Sequence, residues 1–295
     1  MAIIISESTD PFYNLALEEY FLKTNKIAED IFFLWQSNQA FIIGRNQNPF
    51  TEINHIYFNK NIPIVRRISG GGTIFEDKNT INFTYITKDY ISKINDYFYF
   101  VEPVIKVLNN CGVKAKFVPR TNIFVDKKKI SGNAQAFVNN KLMHHGTILF
   151  DTDLTVINEA LLEFDGGDIG EHIGSNKNLV TNISNILNPL ISLNDLKDLI
   201  LKEVIASRNI SDTEYVLDSK DIEQIKDIAE NKYKTWDWNF GKTKLFNTTI
   251  NVNSTLLNLT IDKGKIMSVD QSKFNKLIGV KFLTEEYFRI IDKYE

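Results

Sequence analysis

Three short patches of the chain carry residue types suited to chemistry on an anion. The first is Val65-Arg66-Arg67-Ile68-Ser69-Gly70-Gly71-Gly72-Thr73-Ile74-Phe75-Glu76-Asp77. Glycine costs roughly 0.5–1 kcal/mol against alanine inside an element, so three in a row need a reason. A hairpin turn or bulge is one reason; an anion site is the other, because guanidinium forks and bare amides both suit carboxylate or phosphate. The second patch is Lys127-Lys128-Lys129-Ile130-Ser131-Gly132-Asn133-Ala134-Gln135. Lys127 and Lys128 read as a solvated turn, whereas period two could aim Lys129 into the working face of a sheet. The third is His144-His145-Gly146-Thr147. Adjacent strand residues point to opposite faces, so the two histidines cannot chelate one ion together and only one can face a given site. His55 and His172 are isolated, and no His-Glu-x-x-His or Cys-x-x-Cys element supports a zinc site. Arginines, glycine amides, one lysine and no convincing nucleophile suit group transfer by ATP activation. A carboxylate attacks the α-phosphate, and the protein mainly positions reactants and neutralises developing charge.

The elements that must hold these patches follow from pattern. Asp10-Pro11 starts a helix carrying Phe12, Leu15, Ala16 and Leu22. Ile31 to Trp35 and Ala40 to Ile43 read as two strands joined by the turn Gln36-Ser37-Asn38-Gln39, and the glycine patch as strand, tight loop and strand. Ile81 to Ile86 alternates at period two, as a half-buried strand does. A helix is expected over 92–110, ended by Gly112, with Cys111 as a small buried hydrophobe. Short strands follow over 113–117, 123–125, 134–138 and 142–149. The glycine-rich run 166–178 predicts a long functional loop. Helices over 194–207 and 219–234 precede a boundary near Gly241, and three strands and a helix close the chain. Residues 1–150 lack the strand–helix alternation of a doubly wound fold, so the class is α+β.

At 43% hydrophobic residues the chain supports a real core, and a net charge of −3 draws it to neither nucleic acid nor an anionic membrane. The N-terminus has neither the basic flank nor the length of a signal peptide or membrane span, and a single cysteine excludes an internal disulfide. A cytoplasmic location is expected.

The patches resemble the lipoate–protein ligase family. Arg67 to Phe75 resembles its arginine, serine and triple-glycine signature, Lys129 to Ala134 its lysine motif, and His145 to Leu149 its histidine-glycine-threonine strand. Supporting matches are Asn14 to Glu19, Gly44 to Pro49 and Trp236 to Gly241, all in family order. The resemblance implies a mixed α/β catalytic domain over 1–241, similar to that of biotin ligases and class II synthetases, and a small accessory domain over 242–295. It implies joining lipoate to ATP, with Mg2+ accompanying the triphosphate, and passing the lipoyl group to a lysine of an acceptor. Acceptors would be glycine cleavage H protein, an H-like protein, or lipoyl domains of 2-oxoacid dehydrogenases, served by a monomer.

Carried over, Lys129 is the catalytic residue, contacting the lipoyl carbonyl and α-phosphate. Arg67, Ser69, Gly70, Gly71, Gly72, Asp77, Asn122, Ser131, Gly132, Ala134, His145, Gly146 and Thr147 would frame lipoyl-AMP and ATP. The chain departs from the family at Glu76, where a histidine is frequent; at Asn122, where an aspartate usually follows arginine-asparagine; and over 173–180, where two arginines are missing. Two alternatives remain: an ATP-independent lipoyl or octanoyl transferase, which would need a cysteine nucleophile, and a lipoate-binding protein without ligase activity.

Overall fold

The computed structural model describes residues 1–118, 121–162, 178–208 and 213–294. Arg120, His172 and the expected 166–178 loop up to residue 177 lie outside them. In chain order the strands are β1 (Ala2–Ile5), β2 (Ile31–Trp35), β3 (Ala40–Ile43), β4 (Ile64–Arg66), β5 (Ile74–Glu76), β6 (Thr80–Thr87) and β7 (Lys116–Val118). There follow β8 (Asn122–Val125), β9 (Lys128–Val138), β10 (Lys141–Leu149), β11 (Thr213–Tyr215), β12 (Phe246–Val252), β13 (Thr255–Asp262) and β14 (Lys265–Val269). Among the described residues they form a mixed eight-stranded sheet ordered β11-β1-β2-β6-β10-β9-β8-β7, a three-stranded sheet β4-β3-β5, and a C-terminal sheet β12-β13-β14.

Period-two alternation divides the large sheet between two cores. Phe32, Ile81, Phe83, Tyr85 and Ile148 face one core, closed by the helices Tyr97–Asn110 and Leu193–Arg208. Ile31, Phe33, Trp35, Ile86 and Met143 face the other, closed by Pro11–Lys23 and Ser219–Ile228. Asp10 caps the Pro11–Lys23 helix as expected, its carboxylate accepting from the Phe12 amide at 2.9 Å. The helix expected over 92–110 is two, Tyr90–Lys93 and Tyr97–Asn110, because Asn95 between them turns left-handed at φ 66°. The expected strand over 134–138 extends back to Lys128 and so includes the whole lysine motif.

β2 and β3 are both present, but they are not a hairpin: β2 pairs with β1 and β6 in the large sheet, whereas β3 pairs with β4 and β5 in the small one. β4 and β5 therefore flank β3 on opposite sides, and the glycine patch is an arch over the end of β3, not a turn between neighbours. Gly71 holds φ at +88°, and a Cβ on Gly44 would lie 2.0 Å from the Gly71 carbonyl oxygen. The close approach of these two backbones is what the glycines permit.

The C-terminal sheet has a core of its own, including Leu257, Leu259, Ile261, Ile266, Phe274 and Phe282, into which Phe50 from the larger part of the chain inserts. No described helix is long and apolar enough to cross a membrane.

Candidate active site

Register places the first two functional rows. Across the large sheet, Trp35 pairs with Asn82 and Asn82 with Thr147, while Asn122 pairs with Gly132, whose amide donates to Thr147 Oγ1 at 3.5 Å. Two residues along each strand runs a second row, Phe33, Thr84, His145 and Ala134. With strands about 4.8 Å apart, the first row extends roughly 19 Å from Trp35 to Asn122. A cavity of about 460 Å³ lies over these rows. Its opposite wall is the small sheet and its arch: Ile42, Arg67, Gly70, Gly71, Gly72, Thr73, Ile74 and Glu76.

His145 faces this cavity and its neighbour His144 the other core, as strand geometry requires. His144 stacks on Phe100 with ring centroids 4.5 Å apart, and burial holds its imidazole well below the usual histidine range, hence neutral. His145 is held at both nitrogens: Nε2 lies 2.6 Å from Ser69 Oγ, and Nδ1 lies 2.9 Å from Glu18 Oε1. Thr84 Oγ1 donates to the same Glu18 oxygen at 2.6 Å and accepts from Trp35 Nε1 at 3.1 Å. This chain ties the arch to the sheet. Ser69 does not line the cavity, and its hydroxyl also accepts from Arg67 Nε at 3.0 Å. The relay positions groups, with no nucleophile exposed.

Both arginines of the first patch are engaged by backbone. Arg67 donates to the carbonyls of Ile42, Gly70 and Gly72 at 3.0, 2.6 and 2.8 Å, fixing the arch from within. Arg66 donates to the carbonyls of Gly44, Gln47 and Asn239, binding the Gly44–Asn48 loop to the Trp236–Asn239 helix. Burial brings both guanidinium groups down to about 10. Arg67 still contributes positive potential to the cavity it lines.

Lys129 is the contrasting cation. Its backbone pairs with the 179–181 segment, Lys129 N donating to the Leu179 carbonyl at 2.7 Å and Thr181 N to the Lys129 carbonyl at 3.1 Å. Its side chain folds over Gly132, where an added Cβ would stand 3.0 Å from Nζ. The ammonium makes no hydrogen bond or ion pair among the described residues. Burial, with Arg67 adding like-charge repulsion, brings it down to about 8. A desolvated, unpaired cation beside glycine backbone is ready for an anionic ligand.

Of the residues singled out in the sequence, Arg67, Gly70, Gly71, Gly72, Asn122, Lys129, Gly132, Ala134, His145, Gly146 and Thr147 line the cavity. Ser131 lines an adjoining apolar recess with Leu149, Ile157 and Val180. Asp77 is not brought to the cavity: its carboxylate accepts from the amides of Asn79 and Asp153, both at 2.9 Å. Sequence reasoning left out Glu18, Trp35, Asn82 and Asn133. Glu18 had a visible signal, an acid three residues from Leu15 and four from Leu22 on the apolar face of a helix. Among the described residues no cluster of three or more His, Cys, Asp or Glu could hold a metal ion.

A protein-family model described as the lipoyl protein ligase A/B catalytic domain matches residues 10–205. The chain is 38% identical over 241 residues to lipoate–protein ligase 1 of Staphylococcus aureus, covering 81% of this chain and 73% of that protein. It is 35% identical over 282 residues to the lipoate-protein ligase LplJ of Bacillus subtilis, covering 94% and 85%. Among solved structures, P. falciparum LipL1 in complex with lipoate matches with a TM-score of 0.69 at 22% identity, covering 100% of this chain and 94% of that one. A lipoate-protein ligase A bound with ATP gives 0.67 at 22% identity, covering 81% and 97%.

Proposed function

The chain belongs to the lipoate–protein ligase family, and from that premise we propose that it activates lipoate with ATP and transfers the lipoyl group to a lysine of an acceptor protein. The observation that carries this reading is Lys129: an unpaired, desolvated ammonium in a cavity walled also by the apolar side chains of Leu15, Trp35, Ile42 and Ile74. A carboxylate with an apolar chain fits such a cavity, each buried CH₂ contributing about 0.8 kcal/mol.

In the first step a carboxylate oxygen of lipoate attacks the α-phosphorus, the bond to the β-phosphate oxygen breaks, and pyrophosphate leaves. Lys129 offsets charge on the phosphoryl oxygens, and the amides of Gly70 to Gly72 can approach the adduct because no Cβ intervenes. In the second, the neutral amine of the acceptor lysine attacks the lipoyl carbonyl, the bond to phosphate breaks, and AMP leaves. Arg67 and the Glu18–His145–Ser69 relay hold the arch in place throughout. Ser131, Ala134, Gly146, Thr147 and Asn122 complete the frame; Asp77 acts at a distance, through the turn it caps. The described residues form no metal cage, so magnesium enters only as the companion of the triphosphate, and no step is routed through it.

The transferase alternative requires a thiol nucleophile. Cys111 is the sole cysteine, buried at the end of the Tyr97–Asn110 helix away from the cavity, and burial pushes its thiol up. Both features favour the ligase. We further propose lipoyl-bearing acceptors of the H-protein or 2-oxoacid dehydrogenase type, a cytoplasmic monomer, and a catalytic unit over 1–241 with an accessory unit over 242–295. A bipartite lipoate protein ligase from Thermoplasma acidophilum, reported with its E2 lipoyl domain, supports the acceptor class. The test is incubation with lipoate, magnesium ATP and apo acceptors, reading acceptor mass and pyrophosphate. Acyl transfer without ATP would reinstate the transferase, and binding without pyrophosphate release the carrier reading.

A further inference from the structure

One end of the cavity is less buried than the rest. Trp35, Arg67, His145 and Thr147 are buried, whereas Tyr97, Asn122, Asn133 and Gln135 are only half-buried. Strand pairing explains the opening. β8 accompanies β9 only from Lys128 to Gly132, so Asn133 to Val138 has β10 on one side and no strand on the other among the described residues. The corner between the helices Tyr90–Lys93 and Tyr97–Asn110 stands at that free edge instead, tied to it by the Asn95 amide, which donates to Gln135 Oε1 at 2.9 Å.

The rim of this mouth is apolar. Ile91 is 78% exposed, Phe98 48%, Ile94 47% and Phe137 46%. Phe98 follows Tyr97 in its helix and packs on Phe117 of β7 with ring centroids 5.8 Å apart. Phe137 lies two residues along β9 from Gln135 and packs on Tyr90 at 4.7 Å. Single exposed apolar side chains are ordinary, but four large ones at one corner beside a reactive cavity mark a contact surface. Next to them stand cations without partners. Lys114, Lys116, Lys127 and Lys128 are exposed and form no ion pair among the described residues, and Asp126 is the one acid within 114–128. In register Lys116 pairs with Phe124 and Phe124 with Lys129, so Lys116 shares a sheet face with Lys129, about 10 Å from it. A chain of net charge −3 thus gathers a local positive field beside its apolar rim.

We propose that the 91–98 corner with Phe137 and the lysines of 114–128 together dock the acceptor protein, which presents its lysine from an acidic face carrying an exposed apolar side chain. The chemistry names this occupant. Lipoate and ATP are small and need no docking surface, whereas the attacking amine belongs to a protein. A lysine side chain is short, so the acceptor backbone has to lie against the rim for its amine to reach the lipoyl carbonyl. Acids on its face meet the four lysines and steer the encounter, while the apolar contacts prolong it. This rests on the acyl-activating reading and states the chemistry of its partner.

The experiment compares the wild type with two double variants, Ile91→Ser with Phe137→Ser and Lys116→Glu with Lys128→Glu. Three quantities are read: lipoyl hydroxamate formed from lipoate, magnesium ATP and hydroxylamine; kcat and KM for apo H protein and an apo lipoyl domain of a 2-oxoacid dehydrogenase; and Kd for both acceptors by calorimetry. Hydroxylamine attacks the lipoyl carbonyl and releases AMP without docking, so its rate should stay within about twofold of wild type in both variants. With the protein acceptors KM should rise roughly tenfold and kcat change little. The lysine variant should also lose most of the fall in kcat/KM that the wild type shows between about 0.05 and 0.3 M salt. An acceptor KM within twofold of wild type in either variant, or hydroxamate falling in step with transfer, overturns the proposal. So does a rise in KM for ATP in place of that for acceptor in the lysine variant, which assigns those lysines to the triphosphate. A wild-type dimer that the variants dissolve gives the surface to a second copy of this chain and overturns it too. Should the apolar variant fail to fold, Ile91→Ser alone and the lysine variant decide it. If the wild type yields no hydroxamate, the ligase reading falls while the acceptor Kd still judges the surface; if it yields hydroxamate but binds neither acceptor, the docking surface falls and lipoate activation stands.

Discussion

Lys129 concentrates what a single side chain contributes. Its ammonium is desolvated without a partner, so the native fold bears a penalty below about pH 8, where both folded and unfolded chains hold the proton. As pH rises from about 8 towards 10.5 the folded chain releases it first and the penalty fades. Lys129→Ala should therefore leave thermal stability at pH 7 unchanged or raised, while lowering adenylate formation by about 100-fold or more; calorimetry beside a pyrophosphate assay reads both. Equal losses in the two would mark Lys129 as structural. Activity should decline on the alkaline side near pH 8, and Lys129→Arg should move that limb upward, because a guanidinium keeps its charge. Glu76 runs the other way. Below 4.5 its carboxyl is protonated folded or unfolded, and between 4.5 and about 8 only the folded chain holds the proton. The melting temperature of the wild type should fall behind that of Glu76→Gln across that window, with a constant gap above it. Lys129 was legible because Ile130-Ser131-Gly132 follows it at strand spacing. The roles of Arg66 and Arg67 were not, since sequence gives a guanidinium its charge but not the carbonyls it meets.

At the level of elements, backbone proximity decides which substitutions the site tolerates. A Cβ on Gly146 would stand 2.0 Å from Asn133 Oδ1 and 2.4 Å from Phe83 Cζ, inside the β6-β10-β9 ladder. Gly146→Ala should cost about 3 kcal/mol in urea unfolding. Gly70 has nothing within 4 Å of its virtual Cβ. Gly70→Ala should hold stability within about 0.5 kcal/mol, so any fall in adenylation there reports contact with the ligand and not with the fold. β6, which alternates at period two, and β10 were readable to within a residue, expected over 81–86 and 142–149 and found at Thr80–Thr87 and Lys141–Leu149. The small sheet was not, because the Gln36–Gln39 turn looks the same whether the chain doubles back or changes sheets. β11, three residues pairing in parallel with β1, gave no period to detect.

For the whole molecule, Phe50 is the peg between the larger part of the chain and the C-terminal sheet. Its ring lies 5.9 Å from that of Phe246, 5.3 Å from Phe282 and 5.7 Å from Phe240, and it is 2% exposed. Phe50→Ala should cost about 3–5 kcal/mol and make 242–295 more sensitive to limited proteolysis than the rest. A small C-terminal sheet could be expected from the three terminal strands, but an aromatic from the other part in its core could not. The division of the cavity between two sheets has a consequence of another kind. Its lower leaf is the β2-β6-β10-β9 face and its upper leaf is β3, β5 and the arch, and the Ser69–His145 bond joins the leaves like a clasp. Each leaf keeps its own ladder, and besides that side-chain clasp what holds the two together is the apolar core they share, Ala40, Ile42, Val65 and Ile68 of the upper leaf against Ile31, Phe33, Trp35 and Met143 of the lower.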